Sequence, residues 1–524
     1  MPTIEINDLA SLGAILDRPS YMLPPEAWSL AHNMDFRDGV ARKMKGTSQV
    51  FGTPGVAPHF AMPIQSASQT WWLYTSLTKG YVYDGATHTD ITRTSGGDYT
   101  AANTRDWNGT ILGGIPILNS GTDVPQYWAS YSAATKLAAL SNWTSTHRCK
   151  VMRALGPHLI AGNITKGATL YPHMVKTSHP ADPGSLPSSW DQTDETKDAT
   201  ENDLSDVQSG QIMDMMPLRG QMFIYKENAV WRMRFIGGRF VWAYDSFLET
   251  IGVLASRCVG VLSDGQKHVV WGQDDVVVHD GQQAYSIVDK RTRKTLFSEI
   301  DTTNYLNCFA FDKPDSKQMF LCYPESGQTH PTKALVWNYG EGSSGVFSTS
   351  AIWFRNAVTG TVETSDTGTW ASDSNEWNTD LTQWSSSSRR RTVILDSANT
   401  KFFVTESGEQ RDGVNFTTTL RREGLAQVGR KRNGEWIVDF ERRKFYNRIW
   451  LKITGGPVSV RLGIQELIPG PITWSTAKTF DPSTQTYLDF EGSGRAVSVE
   501  ISSNANVSWE LEGYKLDISL AGNF

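Results

Sequence analysis

The sequence predicts an all-β protein: a β-propeller-like ring of antiparallel meander blades, with a C-terminal β-sandwich and an N-terminal extension that ends in a hairpin. Three observations predict it. Trp, Tyr and Phe number 19, 17 and 21 beside 45 Gly, and aromatic and β-branched residues alternating with Gly, Asn and Asp turns make strands and hairpins. Apolar residues spaced i, i+3, i+4, i+7 over long stretches are hard to find, so helix should fall far below the usual third. Short apolar runs broken by turn dipeptides recur in groups, with equivalent turns about 35 to 65 residues apart, the length of a propeller blade with or without a loop insertion.

In chain order, residues 1–55 form the N-terminal segment. Its core, LPPEAWSLAHNMDFRDGVARKMKG, has a rigid Pro24-Pro25 start, a short turn around Ala27 and Trp28, and a hairpin turning at Asp38-Gly39. The propeller follows over 56–428. TWWLYTS and GYVYDG make one unit, and GTILGG, IPILNSG and PQYW another. CKVMRAL, HLIAGNI, ATLYP and HMVKTS form the next, before a polar, Pro-bearing insertion at 177–209. QIMDMMPL, QMFIYK, AVWRMRFI and RFVWAYDSF are broken by Arg219-Gly220, Glu227-Asn228 and Gly237-Gly238. CVGVLS, KHVVWG, VVVH and QAYSIV follow, and then CFAFD, KQMFLCY, KALVWNY and GVFSTS. That makes six units, with a seventh near TVILD, KFFVTES and VNFTTTL. One meander cannot bury both faces, whereas a ring of them can and also protects its edges. A stack of sandwiches is the alternative, but it would lack the blade-length period. From 429 to 524, alternating strands such as FYNRIWLKITG, VSVRLGI and AVSVEIS read as the sandwich.

Composition narrows the function. The net charge of −6 over 524 residues argues against a dedicated nucleic-acid binder but suits a surface past which DNA slides. Cys149, Cys258, Cys308 and Cys322 have neither CxxC nor a disulfide-dense pattern, so they read as buried thiols. MPTIEINDLA lacks a basic region followed by an apolar one, and no apolar run is long enough to cross a bilayer. The expectation is therefore a soluble protein made in a reducing cytosol, with no membrane-spanning segment. Histidines show no HxH or HExxH spacing, and GxGxxG, GxxxxGK[ST] and GxSxG are missing. No catalytic residue, metal or cofactor is expected.

Two acidic features have bland readings. Asp274 and Asp275 lie between two apolar runs, and neighbours on a strand point to opposite faces, so they read as a turn rather than a working carboxylate pair. ETSDTGTW at 363–370 resembles the Asp box of sialidase-like propellers, with Trp370 one residue early, and such a box only shapes a hairpin. Basic clusters stand at Arg389-Arg390-Arg391, Arg430-Lys431-Arg432 and Arg442-Arg443-Lys444. They read either as solvated edges or as contacts with a partner subunit or DNA phosphates.

The opening motif carries the most specific signal. Leu23, Pro24, Ala27, Trp28, Asn33, Phe36, Arg37, Gly39, Lys43 and Gly46 resemble the amino terminus of tail nozzle proteins of short-tailed bacteriophages, also called tail hub or packaged-DNA stabilisation proteins. The stretches IGVLASRCVGVLSDGQKHVVWGQDDVVVHDG, MVKTSHPADPGSLPSSW and AVSVEISSNANVSWELEGYKLDIS extend the resemblance, while the ending AGNF departs from the family's late Gly-Arg. The resemblance implies a virion tail protein, assembled in the host cytoplasm as a hexameric ring below the portal and adaptor. The ring would retain and then release double-stranded DNA and dock tail fibres or receptor-binding proteins. Leu23, Pro24, Trp28, Asn33, Phe36, Arg37 and Gly39 are the expected assembly interface, with Trp28 and Phe36 as anchors on a neighbouring subunit or the adaptor ring; the alternative is that the segment only closes the propeller of its own chain. A propeller-based carbohydrate-binding or depolymerising tail protein is the other reading.

The turn reading has a direct check. Asp274→Asn and Asp275→Asn should each change the urea midpoint of unfolding by no more than a fraction of a kcal/mol and leave assembly intact. Loss of a bound metal or of an activity in either variant would contradict it.

Overall fold

The turn dipeptides read from the sequence reverse the chain between neighbouring strands. Arg219 and Gly220 both take positive φ, 50° and 75°, the mirror-image turn that matches the right-handed twist of the strands it joins. The computed structural model describes residues 3–67, 69–205, 210–341, 345–362, 389–432 and 435–520. Among the described residues strand makes up 50% and helix 4%.

Among the described residues seven four-stranded antiparallel blades follow one another, six of them separate sheets and one the end of a ten-stranded sheet. Blade 1 runs from Phe60–Gln65 to His88–Asp90, and blade 2 from Asn108–Leu112 to Ala138–Ala139. Blade 3 runs from His147–Leu155 to Thr200–Asp203, and blade 4 from Ile212–Leu218 to Trp242–Leu248. Blade 5 spans Val259–Val261 to Ala284–Ser286, and blade 6 spans Phe309–Lys313 to Phe347–Ala351. The insertion expected at 177–209 is narrowed: residues 178–199 join the third and fourth strands of blade 3, and Thr200–Asp203 is the fourth strand itself.

Blade 7 decides the count and closes the ring. Asn356–Val362, Arg389–Asp396 and Lys401–Thr405 supply three strands, and Thr47–Val50 from the N-terminal segment supplies the fourth. Its register runs from Phe402 opposite Val50 to Thr405 opposite Thr47. The expected contribution of VNFTTTL to this blade is corrected, because Thr418–Leu425 belongs to the sandwich. Apolar faces pack from blade to blade. Phe402 and Val404 of blade 7 meet Trp72 and Tyr74 of blade 1, and Leu73 and Val82 of blade 1 meet Leu118 and Trp128 of blade 2. Each such side chain contributes about 1.5–3 kcal/mol on burial.

The sandwich is not confined to 429–524. One sheet places Met34–Arg37 and Val40–Lys43 beside Trp509–Leu520, Lys444–Gly455 and Tyr487–Gly494, with Thr3–Asn7 also paired to Trp509–Leu520. The other contains Leu30–His32, Thr418–Leu425, Ala496–Ser503 and Val458–Gln465. Leu30–His32 pairs antiparallel with Thr418–Leu425 and parallel with blade 6, where His32 lies opposite Thr349. Propeller and sandwich therefore share a continuous sheet.

This placement corrects the expected role of Trp28 and Phe36 as anchors on a neighbour. Trp28 and Phe36, each 1% exposed, sit in the core of their own chain rather than facing outward as anchors. The Trp28 indole donates to the Leu9 carbonyl at 3.0 Å and its ring packs near Tyr514. Leu23 is buried against Ile15 and Ala27, while Pro24 is half-buried. Arg37 pairs with Asp35 at 3.0 Å, and Asp38 and Gly39 take φ of 55° and 81° in the hairpin turn.

Asn33 ties these pieces together. Its amide donates to the Thr417 carbonyl at 2.8 Å, and its Oδ1 accepts from Ser350 Oγ, Ala351 N and Arg411 Nη2 at 3.0, 3.1 and 2.9 Å. Nearby, the buried Lys43 ammonium donates to the carbonyls of Glu409, Ala505 and Val507. A Cβ on Gly46 would lie 1.9 Å from the Gln410 carbonyl oxygen, so only glycine fits there.

Asn33→Ala should remove one acceptor from the buried Arg411 and the side-chain partner of the Thr417 carbonyl and the Ala351 amide, destabilising the chain by about 2–4 kcal/mol, read from the urea midpoint. Deleting residues 1–46 should unfold the sandwich, exposing Trp509 and Tyr514 to solvent in tryptophan fluorescence. A truncated chain with a native spectrum would contradict this placement.

Candidate functional site at the propeller axis

The first strand of every blade lines the propeller axis. Ala61, Asn108, Val151, Met213, Val259, Ala310 and Ala357, one or more from each blade, surround a cavity of about 170 Å³. An ion pair lines the cavity. Arg153 Nη2 lies 2.8 Å from Asp214 Oδ1, and its Nε donates to the Met215 carbonyl at 2.9 Å. Asp214 is fully buried, and that burial raises its carboxyl above the ordinary range against the pull of Arg153.

Where the first strands begin, the axis opens into two adjoining hollows of about 380 and 100 Å³ that share Arg105. Lys150 and Ser256 line the larger one, and His59, Arg257, Asn307, His330 and Arg355 line the smaller. The fold explains this gathering. Arg105, Arg257, Asn307 and Arg355 stand immediately ahead of the first strands of blades 2, 5, 6 and 7, and Lys150 lies within that of blade 3. Residues scattered over 250 positions of sequence thus meet at one mouth.

The cations here are thinly compensated. Arg105 donates to Asn307 Oδ1 at 3.1 Å, and Lys150 Nζ reaches only the Met213 sulfur at 3.3 Å. Burial lowers the Lys150 pKa. Arg257 donates to the Arg355 carbonyl at 3.3 Å and to Asn356 Oδ1, and burial lowers its pKa to about 10. Among the described residues, Arg105, Lys150, Arg257 and Arg355 form no salt bridge. The nearby carboxylates are engaged elsewhere: Asp106 accepts from the Ala102 and Asn103 amides, Asp214 pairs with Arg153, and Glu227 accepts from Gln211. Trp107, 2% exposed, lines the axial cavity, and its indole N–H has no acceptor.

The residues singled out from sequence lie elsewhere. Asp274 and Asp275 fall on the turn between His268–Trp271 and Val276–His279. Asp275 Oδ1 accepts from Val276 N and Ser286 Oγ, while the exposed Asp274 pairs with Arg293 at 3.4 Å. The stretch 363–370 lies outside the described residues. Arg389–Arg391 open the second strand of blade 7, with Arg390 exposed and Arg391 half-buried. Arg430 pairs with Glu26, Lys431 with Glu435, Arg442 with Asp439 and Arg443 with Glu466, all on exposed sandwich surface with Arg432. Lys444 is a correction: it is buried, donating to the carbonyls of Asp439, Arg442 and Arg495, and no partner can reach it. All four cysteines are free and buried.

Sequence reading missed the axial mouth. A signal existed: Cys149, Cys258 and Cys308 each start a blade, and the residues beside them are Lys150, Arg257 and Asn307. A polar or basic residue next to the buried start of each inner strand marks the rim of the axis.

No family model matches the chain, and no curated protein matches it. Among solved structures it is similar to a fungal alcohol oxidase in complex with copper, 8% identical at a TM-score of 0.40, covering 88% of this chain and 93% of that one. It is also similar to YCF48 bound to D1 peptide, at 9% and 0.34, covering 69% and 95%. The luciferin-regenerating enzyme matches at 7% and 0.28, covering 60% and 82%. At such values the likeness carries no argument about activity.

Buried histidines give the fold a pH dependence. Tyr225 hydroxyl lies 2.6 Å from His268 Nδ1 and 2.9 Å from His279 Nε2, and the Gly281 amide donates to His279 Nδ1 at 3.2 Å. This pattern assigns a neutral pair, with His279 donating to Tyr225 and Tyr225 donating to His268. Burial lowers these pKa values to about 4 and about 3, and those of His32 and His59 to about 4. Above pH 6.5 the folded and unfolded chains are both neutral at these sites. Below it only the unfolded chain takes up protons, so stability should fall from pH 6.5 towards pH 4 by ~1.4 kcal/mol per pH unit for each such histidine. The urea midpoint across that range measures the effect, and His268→Gln should make the decline shallower.

Proposed function

We propose that this chain is a structural nozzle protein of a short bacteriophage tail. Copies assemble as a hexameric ring below the portal and adaptor, retain the packaged genome, open for ejection and dock fibres or receptor-binding proteins. The opening motif carries the reading. Trp28, Asn33, Phe36, Lys43 and Gly46 each have a geometric reason to be that residue type, in the clasp between propeller and sandwich. A motif whose members interlock in this way supports a resemblance based on the same residues.

In this reading DNA does not pass through the propeller. Its axial cavity of about 170 Å³ is lined by the Arg153–Asp214 ion pair, and a duplex has a major groove alone about 12 Å wide. The lumen belongs between copies. Surfaces suited to assembly are the tip of blade 4, where Phe235, Ile236 and Phe240 are 57, 54 and 76% exposed, and the sandwich patch of Met22, Ile437, Val438 and Phe440. Such groups of exposed apolar residues mark interaction sites.

The test is electron microscopy of the purified protein mixed with its portal and adaptor. Six-fold rings at the tail vertex are expected, and Phe235→Asp with Phe240→Asp should reduce ring formation at least tenfold without lowering the urea midpoint. A trimer that cleaves surface polysaccharide would instead favour the depolymerase reading.

A further inference from the structure

We propose that the axial mouth of the propeller binds a small molecule through an oxyanionic group, a phosphate or a sugar carboxylate. The inference stands apart from the nozzle reading, since it concerns a cavity within one chain.

The argument is one of unmet capacity. An ammonium offers three donors and a guanidinium five. Lys150 uses its donors only on a thioether, which accepts weakly. Arg105 makes one side-chain hydrogen bond, to Asn307, and the Arg355 guanidinium has no hydrogen bond or ion pair among the described residues. Gathering half-buried cations in a hollow where none of them has a paired carboxylate raises the energy of the empty site through mutual repulsion and lost hydration. Glu227, Asp106 and Asp214 offset the charge of Lys150 only in part: burial still lowers its pKa, and their oxygens accept from Gln211, from Ala102 and Asn103, and from Arg153 and Met215 rather than from these cations. His59 and His330, on the same rim, have depressed basicity from burial and the neighbouring arginines, so they add donors rather than charge near neutral pH.

The geometry suits a planar or tetrahedral oxyanion. Arg105 and Arg355 both line the smaller hollow, and the forked donors of a guanidinium match carboxylate and phosphate. The hollows of about 100 and 380 Å³ meet at Arg105, which gives room for an anionic group in one and an uncharged body in the other. Ser120, Thr122, Asn163, Thr165 and Gln211 line the larger hollow and supply neutral donors and acceptors of the kind that hold hydroxyls.

The experiment uses the full chain at low ionic strength, with isothermal calorimetry and thermal unfolding against inorganic phosphate, glucuronate, glucose and chloride at matched ionic strength. Saturable binding of phosphate or glucuronate is expected, with glucose and chloride at least tenfold weaker. Whichever anion binds more tightly identifies the source of the charge. Arg355→Gln and Lys150→Met should each weaken that binding at least tenfold while keeping the circular dichroism spectrum. As a measurement free of variants, the bound anion should protect Arg105 and Arg355 from phenylglyoxal modification, read by mass spectrometry. Equal stabilisation by chloride, binding unchanged in both variants, or no protection of either arginine would overturn the proposal.

Discussion

The junction around Asn33 is the contact on which the rest depends. One side chain, in a left-handed backbone conformation with φ of 56°, joins the N-terminal segment to blade 6, to Arg411 and to the strand that begins the sandwich. Asn tolerates this conformation better than most residues because its short amide can satisfy local backbone groups. A buried guanidinium such as Arg411, whose pKa is lowered to about 10 by burial, stays charged only while oxygens such as Asn33 Oδ1 and the Ala351 carbonyl accept from it. The network is therefore cooperative: each member keeps another from being a buried unpaired polar group.

That junction couples two closures that would otherwise be independent. The propeller is sealed by Thr47–Val50, and the sandwich is completed by Thr3–Asn7, Leu30–His32 and the Asp38-Gly39 hairpin. Both sets of strands come from the same short N-terminal stretch, paired with partners some 350 to 500 residues away in sequence. Contacts of such separation carry a large loop-closure cost. They hold because Lys43 and Gly46 anchor the stretch between them on both sides, through the carbonyls of Glu409 and Ala505 and the backbone of Gln410.

The axis shows a different economy of charge. Arg153 and Asp214 are paired inside the cavity, so burial is offset by attraction. A few ångströms along the axis, Arg105, Lys150 and Arg355 have no such partner and still touch the open hollows. The same ring architecture thus makes a paired interior and a rim without salt bridges among the described residues, because the first strands and the segments leading into them bring Lys150, Arg105 and Arg355 together from different blades.

The amino-acid order by itself determined the strand content, the blade units, the hairpin turns and the buried thiols, because alternation and turn chemistry act over a few residues. The Asp274–Asp275 turn and the Asp38–Gly39 hairpin are cases where neighbouring residues sufficed. Only the tertiary structure decided that the N-terminal strands complete both a seventh blade and the sandwich, that Trp28, Phe36 and Lys444 are internal, and that Arg105, Lys150, Arg257 and Arg355 share one mouth. Strand alternation tells which face a residue takes but not which distant strand will lie against it. Partner choice is set by the closure of the whole ring, and no local pattern records it.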